Sequence, residues 1–186
     1  MARERMLGQA TLPGSIASLG PIGQICWMTD DLRKTVNFWT GTLGVGPFFI
    51  LEHQTPTDVK AYGKPVAIDY SVALGYWGDM NIEFIQQHSP AKTFFSDWLA
   101  RGQTGPHHLR IDSADIEAAE KTITAKGGVL VYEKSSEISI GKYFDMGENG
   151  PYIEIVWAPP GTGAKMEEVR AAARNWDGRD PIRAFS

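Results

Sequence analysis

The chain repeats one order of secondary structure, β-α-β-β-β, and this repetition constrains the possible folds more than any other feature. Each half begins with a short strand, continues into an amphipathic helix and ends with three strand-like runs. The halves also share their spacing, because Gln24 and His108 each stand seven residues before an aspartate and twenty before a glycine. Equal spacing of this kind indicates an internal repeat. We therefore expect Gln24 and His108 to be equivalent positions.

The pattern divides the chain into segments. The first half predicts a helix at residues 32–39 and strands at residues 22–28, 48–51, 66–76 and 80–85; the second predicts a helix at residues 115–126 and strands at residues 107–111, 129–132, 140–144 and 152–157. We predict an N-terminal arm (1–20), module one (21–87), a connector helix (88–103), module two (104–158) and a C-terminal tail with a surface helix (159–186).

Composition excludes several classes of protein. The chain has 18 Lys and Arg against 22 Asp and Glu, and it has no basic cluster of the kind that binds nucleic acid or an anionic membrane. No apolar run approaches the roughly 20 residues that span a bilayer, and the N-terminus lacks the apolar core of a signal peptide. The single cysteine, Cys26, cannot form an internal disulfide. We expect a cytoplasmic protein with small-molecule partners.

Each half has one glutamate between apolar residues in its last strand. Glu83 lies in Ile-Glu-Phe and Glu154 in Ile-Glu-Ile. Either side chain could simply face solvent, since side chains alternate along a strand. However, the two glutamates occupy equivalent positions in the last strands of the repeat. Gln24 and His108 occupy equivalent positions in its first strands. Two carboxylates, an imidazole and an amide oxygen form a mixed nitrogen and oxygen set that suits a divalent ion.

Four segments of the chain, GQICWMTDDL, FWTGTLGVGPFF, GPHHLRID and YIEIVW, resemble the vicinal oxygen chelate superfamily of glyoxalases, bleomycin resistance proteins, methylmalonyl-CoA epimerases and extradiol dioxygenases. The resemblance covers residues 22–157 and omits the arm and the tail. It implies an α+β fold in which two βαβββ modules form a curved, cup-like mixed sheet around one divalent metal ion (Zn, Ni, Co, Mn or Fe). It also implies the ligands Gln24, Glu83, His108 and Glu154.

The other possible donors are less well placed. His107 and His108 must face opposite sides of a strand, and the repeat spacing selects His108 as the ligand. His53 and His88 fall in connecting regions, and we do not expect them to be ligands. Cys26 is expected to face away from the metal position and to be a buried hydrophobe.

The ligand order resembles that of some glyoxalase I enzymes and of methylmalonyl-CoA epimerase, which both move a proton on a carbon next to a carbonyl. This implies a metal-dependent isomerase, epimerase or lyase that acts through a metal-bound enediolate. Glu154 is the expected base, and Glu83 would return the proton. Asp69 is an alternative base outside the ligand set.

The substrate stays open. Glutathione is disfavoured because Met28 stands where glyoxalase I enzymes have an arginine. For a CoA thioester we expect several cations near the mouth of the cup, yet only Lys60, Lys64, Lys92 and Lys142 lie in loops that could reach it, which disfavours such a substrate. Aromatic residues in the strands also suit an aromatic ketone. The polar segment at residues 53–64 is expected to be a hairpin connection or a lid.

Two alternatives remain from other classes. A binding protein of the bleomycin-resistance type would sequester an apolar compound without turnover, although such proteins have generally lost the ligands. An iron dioxygenase is disfavoured because those enzymes resemble one another in a histidine where this chain has Gln24. Proteins with this resemblance often pair, so we expect a homodimer.

Overall fold

A single mixed sheet, curved and not closed into a barrel, connects the two halves of the protein. The computed structural model describes residues 12–148, 150–161 and 163–185, so residues 1–11 of the predicted arm lie outside the described part. The strands are β1 (Ile22–Met28), β2 (Phe48–Gln54), β3 (Asp58–Ala61), β4 (Lys64–Pro65), β5 (Tyr70–Trp77), β6 (Met80–Gln87), β7 (His108–Asp112), β8 (Val129–Ser136), β9 (Ser139–Asp145), β10 (Tyr152–Trp157) and β11 (Ile182–Ala184). The described helices are α1 (Leu32–Gly41), α2 (Phe94–Ala100), α3 (Ile116–Thr124) and α4 (Ala164–Arg174), with a 3₁₀ turn at Ile16–Leu19.

The strand order is β11-β2-β5-β6-β1-β7-β10-β9-β8-β3-β4. The first strands of the two halves, β1 and β7, pair antiparallel at the centre. Each also pairs in parallel with the last strand of its own half, β6 or β10. The halves therefore have the same internal arrangement. The predicted fold class, α+β with two βαβββ modules in a curved mixed sheet, is confirmed.

Equivalent aspartates begin the helix of each half. Asp31 accepts a hydrogen bond from the backbone N–H of Lys34 at 2.9 Å, and Asp115 accepts one from Ala118 at 3.0 Å. These carboxylates satisfy N–H groups that have no partner within the helix. The repeat spacing thus identifies two real helix caps.

The glycines that share the repeat spacing serve different needs. Gly44 has a φ of +69°, which glycine adopts without steric cost. Gly128 is needed for space, because a Cβ atom there would lie 2.5 Å from Cγ2 of Ile123. The second glycine therefore allows α3 to pack closely against the start of β8.

Apolar side chains cover both faces of the sheet. On the outer face, α1 and α3 each cover a separate core, and the inner face holds a third. The connector helix α2 belongs to this third core, with Phe94, Phe95 and Trp98 all buried. The aromatic rings of α2 therefore fill part of the concave side.

The predicted connection at residues 53–64 contains the hairpin of β3 and β4. Its first strand pairs antiparallel with β8, from Asp58 opposite Ser135 to Ala61 opposite Tyr132. A segment of the first half thus extends the sheet of the second half. Val59 and Ala61 are buried in the inner core.

The C-terminal tail contributes more than the predicted helix. Its strand β11 pairs in parallel with β2, and the N–H of Phe48 donates to the carbonyl of Pro181 at 2.9 Å. Helix α4 packs against β5, with Val169 buried. A three-residue strand of this kind has too little periodicity to be recognised from sequence. None of the described helices is long and apolar enough to cross a membrane.

Candidate metal centre on the inner face of the sheet

Three of the four predicted ligands meet at one imidazole nitrogen. Nε2 of His108 lies 3.2 Å from Oε2 of Glu83 and 3.3 Å from Oε2 of Glu154. The His108 side chain is fully buried, and those of Glu83 and Glu154 are 14% and 4% exposed. The structure therefore brings an imidazole and two carboxylates together in a nearly dry environment.

The pairing of the central strands explains this meeting. Gln24 pairs with Asn81, and Glu83 lies two residues further along β6. In the same way His108 pairs with Tyr152, and Glu154 lies two residues further along β10. Because residues two apart share a face of a sheet, all four predicted ligands belong to the inner face. The register also makes Gln24 equivalent to His108, as the repeat spacing predicted, and Glu83 equivalent to Glu154, as their places in the last strands predicted.

Gln24 lies on the inner face but has a partner of its own. Its Nε2 donates to Oδ1 of Asn81, whose Nδ2 donates to the carbonyl of Gly75 at 2.8 Å. Asn81 thereby orients the amide and occupies its nitrogen end. The oxygen end is the end that could bind a cation.

The buried His108 nitrogen lies where positive charge is favoured. Nε2 has no hydrogen bond of good geometry among the described residues, although the two carboxylates approach it closely. Burial alone would lower the pKa of His108, but Glu154 and Glu83 outweigh burial and raise the pKa. A proton or a metal ion is therefore favoured between these three groups. The buried nitrogen and the two carboxylates beside it therefore fit the divalent ion that the resemblance implies.

Two cations share the inner face with Glu154. A cavity of about 540 Å³ is lined by Arg110, Lys134 and Glu154, among others. Burial would raise the pKa of the Glu154 carboxyl, but His108, Lys134 and Arg110 together hold this pKa well below its usual range. Glu154 is therefore ionised at neutral pH. Arg110 also donates to Oδ1 of Asp112 through Nε at 2.9 Å.

These cations differ from the lysines expected from the sequence. Lys60 pairs with Glu133 at 2.9 Å, and Lys142 pairs with Glu120. Lys134 was missed because the strand was predicted to end at Tyr132, whereas β8 continues to Ser136. Arg110 could have been found, since it lies two residues after His108 and must share its face.

His107 supports His108 from behind. The two Nδ1 atoms lie 3.0 Å apart, and the rings of Phe94, Phe95 and Trp98 surround His107. Burial, and then the neighbouring His108, lower the pKa of His107 well below its usual range, so this ring is neutral. If His108 binds an ion through Nε2, its proton is on Nδ1, and Nδ1 of His107 is placed to accept it.

The predicted orientation of Cys26 is wrong. Cys26 lies two residues after Gln24, so the same alternation that places Gln24 on the inner face also places Cys26 there. It pairs with Glu83 on one side and with His108 on the other. Its thiol is fully buried, and burial and then Glu83 raise its pKa well above the usual value. The cysteine is thus a buried protonated thiol beside the candidate ligands.

The alternative base and the two remaining histidines lie elsewhere. Asp69 is 3.0 Å from Nδ1 of His53, whose side chain is 66% exposed, and His88 is also exposed. Asp69 precedes Tyr70, whose side chain belongs to the inner core, so Asp69 faces the other side. The geometry therefore disfavours Asp69 as the base.

The C-terminal helix covers the side of the centre next to Gln24. Met166, Glu167 and Arg170 of α4 line a cavity of about 280 Å³ together with Gln24 and Arg110. The guanidinium of Arg170 lies 4.9 Å from the centre of the Tyr76 ring. The tail thus provides a wall of the inner cavity, a role that the sequence did not predict.

Solved structures of similar fold include two methylmalonyl-CoA epimerases. A variant of the Streptomyces coelicolor epimerase in complex with 2-nitronate-propionyl-CoA is 19% identical with a TM-score of 0.51, and the match covers 76% of this chain and 96% of that one. The Mycobacterium tuberculosis epimerase is 16% identical with a TM-score of 0.55, covering 81% and 94%. A hypothetical protein of Bacillus halodurans is 14% identical with a TM-score of 0.51, covering 75% and 94%. At these identities the likeness shows the fold.

Sequence comparison identifies the family. No curated protein sequence matches the chain significantly. The sequence profile of the glyoxalase/bleomycin resistance protein/dioxygenase superfamily, however, matches residues 23–144. This match covers more than half of the chain and includes Gln24, Glu83 and His108. Together with the doubled βαβββ sheet, it shows that the chain belongs to the glyoxalase/bleomycin resistance protein/dioxygenase superfamily.

Proposed function

We propose that the chain is a metal-dependent isomerase, epimerase or lyase that moves a proton on a carbon next to a carbonyl group. One observation carries the proposal: the buried Nε2 of His108 lies within 3.3 Å of two carboxylates and lacks a well-formed hydrogen bond. An imidazole nitrogen and two carboxylates are costly to bury together unless a proton or a metal ion lies between them.

Gln24, Glu83, His108 and Glu154 are the residues that would hold the ion. Their oxygen and nitrogen atoms suit Zn²⁺, Ni²⁺, Co²⁺, Mn²⁺ or Fe²⁺. A divalent ion in this place supplies Lewis acidity that polarises the substrate carbonyl. An ion held by these four residues could also bind an oxygen of the substrate.

The two carboxylates approach the centre from opposite sides. Glu83 belongs to β6 and Glu154 to β10, and β1 and β7 lie between them. A substrate carbon near the centre therefore has one carboxylate on each side. Glu154, ionised and buried, takes the α-proton, and Glu83, which is more exposed and can take up a proton from solvent, delivers that proton to the other face of the carbon. This arrangement suits an epimerisation.

Lys134 and Arg110 support a substrate that carries or develops negative charge. Both cations line the cavity that contains Glu154. Positive groups fixed beside a carbonyl stabilise the oxyanion that forms when its α-proton leaves. Small ketones and thioesters are the candidate substrates, and methylmalonyl-CoA is the first to test because two structural relatives are its epimerases.

The first experiment measures metal content. Wild-type protein purified without chelator is compared with His108→Ala and Glu154→Ala by elemental analysis. We expect both variants to lose about one divalent ion per chain. Glu133→Gln removes a carboxylate from β8 that pairs with Lys60. This control should keep its metal, and equal metal in all four proteins would contradict the proposed centre.

The second experiment measures exchange of the α-proton with deuterated solvent by NMR. The panel contains methylmalonyl-CoA, α-hydroxyketones and aromatic ketones. Glu154→Gln, whose amide oxygen could still bind the ion, should slow exchange by about 10²–10⁴-fold, the usual worth of a positioned base. If the wild type binds metal but, like the variant, exchanges the α-proton of no compound in the panel, the result would favour a protein that sequesters a small molecule without turnover.

A further inference from the structure

Two histidines and an aspartate meet at the surface where three neighbouring strands end. His53 lies in β2, Asp69 immediately before β5, and His88 immediately after β6. Because β2, β5 and β6 are adjacent in the sheet, the three side chains converge. One donor atom from each lies within 4.8 Å of the other two. This cluster shares no residue with the candidate centre on the inner face.

The rings and the carboxylate are in close contact. Nδ1 of His53 lies 3.1 and 3.0 Å from the two oxygens of Asp69. The rings of His53 and His88 lie 4.6 Å apart, with 32° between their planes. Two charged imidazoles at this distance would repel each other. A cation bound by both rings would instead hold them together.

A buried hydroxyl orients the histidines. Oγ of Ser71 lies 2.7 Å from Nε2 of His88 and accepts the backbone N–H of His53 at 3.1 Å. Ser71 is only 4% exposed. Metal-binding imidazoles usually have such an oxygen partner on their second nitrogen, which fixes the ring and its tautomer.

The backbone also holds the cluster in place. The carbonyl of Asp69 accepts the N–H groups of His88 at 2.8 Å and Ser89 at 3.2 Å. His53 has a φ of +51°, a left-handed conformation that is uncommon for a residue other than glycine. Conformations of this cost occur where the surrounding structure requires them. The three donors are therefore positioned before any ligand arrives.

We propose that His53, Asp69 and His88 form a second divalent-metal site. Two imidazoles and one carboxylate suit Zn²⁺, Co²⁺ or Ni²⁺ and leave open positions for water or a further ligand. The site adjoins a groove of about 620 Å³ that runs from Asp69 under the β3–β4 hairpin. A bound ion would connect the neighbouring ends of β2, β5 and β6.

The test is a Co²⁺ titration of the intact chain, followed by visible absorption and thermal unfolding. Wild type, His53→Ala, His88→Ala and His108→Ala are compared, with Glu52→Gln as the control. Glu52 neighbours His53 in β2 but pairs with Arg33. All the changed side chains except His108 lie at the surface, so folding should persist.

We expect His53→Ala and His88→Ala each to lose one Co²⁺ band and the Co²⁺-dependent rise in melting temperature that accompanies it. His108→Ala should keep that band, and Glu52→Gln should resemble wild type. If the inner centre fails instead, wild type binds one ion that His108→Ala retains and His53→Ala loses. Unchanged Co²⁺ binding in both surface histidine variants would overturn the second site.

Discussion

The Nδ1 atoms of the consecutive residues His107 and His108 lie 3.0 Å apart in the interior of the protein. Neighbours in a strand normally point to opposite faces, and this pair makes contact because β7 begins at His108. We predict that His107→Phe weakens divalent-metal binding at the inner centre by about 10–100-fold, the usual effect of losing a partner of a ligating histidine. Competition with a chelator of known affinity measures the change.

Phe95→Leu serves as the control for this prediction. It disturbs the same aromatic cluster but leaves the Nδ1 contact intact. If both variants lower metal affinity equally, His107 acts only through packing, and a positioning role is excluded.

The lysines at positions 134 and 142 provide a matched pair on adjacent strands. Lys134 lines the cavity with Glu154, while Lys142 pairs with Glu120. We predict that Lys134→Met raises KM for an anionic substrate by about tenfold or more, because a partly buried cation close to an anion is worth about 1.4 kcal/mol or more. Steady-state kinetics on the active member of the substrate panel measures it. Lys142→Met should leave KM unchanged, and a similar loss in both variants would contradict a local role for Lys134.

Two tyrosines predict a loss of stability in alkali. Burial raises the pKa of Tyr132, which is 1% exposed. Tyr62 is only partly covered, and this partial burial, together with the hydrogen bond that it donates to Asp97 at 2.7 Å, raises its pKa as well. In the unfolded chain tyrosine ionises near pH 10, so above that pH the unfolded state binds fewer protons than the folded one. The free energy of unfolding should therefore stay level up to about pH 10 and fall above it.

Urea unfolding between pH 8 and 11 measures this fall. Tyr132→Phe removes one of the ionising groups, and the Tyr132 hydroxyl has no hydrogen-bond partner among the described residues. The variant should lose less stability above pH 10 than wild type. A parallel decline in both proteins would assign the alkaline loss to other groups.

Gly128 is predicted to be sensitive to the smallest side chain. The added Cβ of Gly128→Ala would meet Cγ2 of Ile123 at 2.5 Å and its backbone carbonyl at 3.1 Å. Overpacking of this kind lowers the free energy of unfolding by about 1–3 kcal/mol. Gly41→Ala, at an open position in α1, should raise stability slightly because alanine favours helix. Urea unfolding of both variants measures these changes. If Gly128→Ala is as stable as wild type, the packing around Ile123 relaxes to admit the added methyl group.

The repeat spacing predicted two equivalent halves because it reflects local rules, and the family resemblance implied that these halves form one curved sheet. Helix caps at Asp31 and Asp115, and strands that alternate between two faces, depend on nearby residues. The equivalence of Gln24 with His108 follows from the same spacing and reappears in the strand register. Local patterns therefore predict the order of the elements and the equivalent positions of the candidate ligands.

What the sequence did not predict depends on partners distant in the chain. The strand that carries Lys134 extends past its apolar run because β9 pairs with one edge and β3 with the other. The tail strand exists because β2 offers it hydrogen bonds. The cluster of His53, Asp69 and His88 forms only when three strands lie side by side. Cys26 differs, since correct use of alternation from Gln24 would have placed it.

The two strands at the ends of the sheet also protect the protein from self-association. Without β11 and the β3–β4 hairpin, long strands of each half, β2 and β8, would expose their backbone N–H and C=O groups. The strands that now form the two edges, β11 and β4, are only three and two residues long, and β11 contains Arg183 while β4 contains Pro65. Short edges with a charge or a proline are poor templates for another chain. These added segments should therefore keep the folded protein from aggregating through its sheet edges.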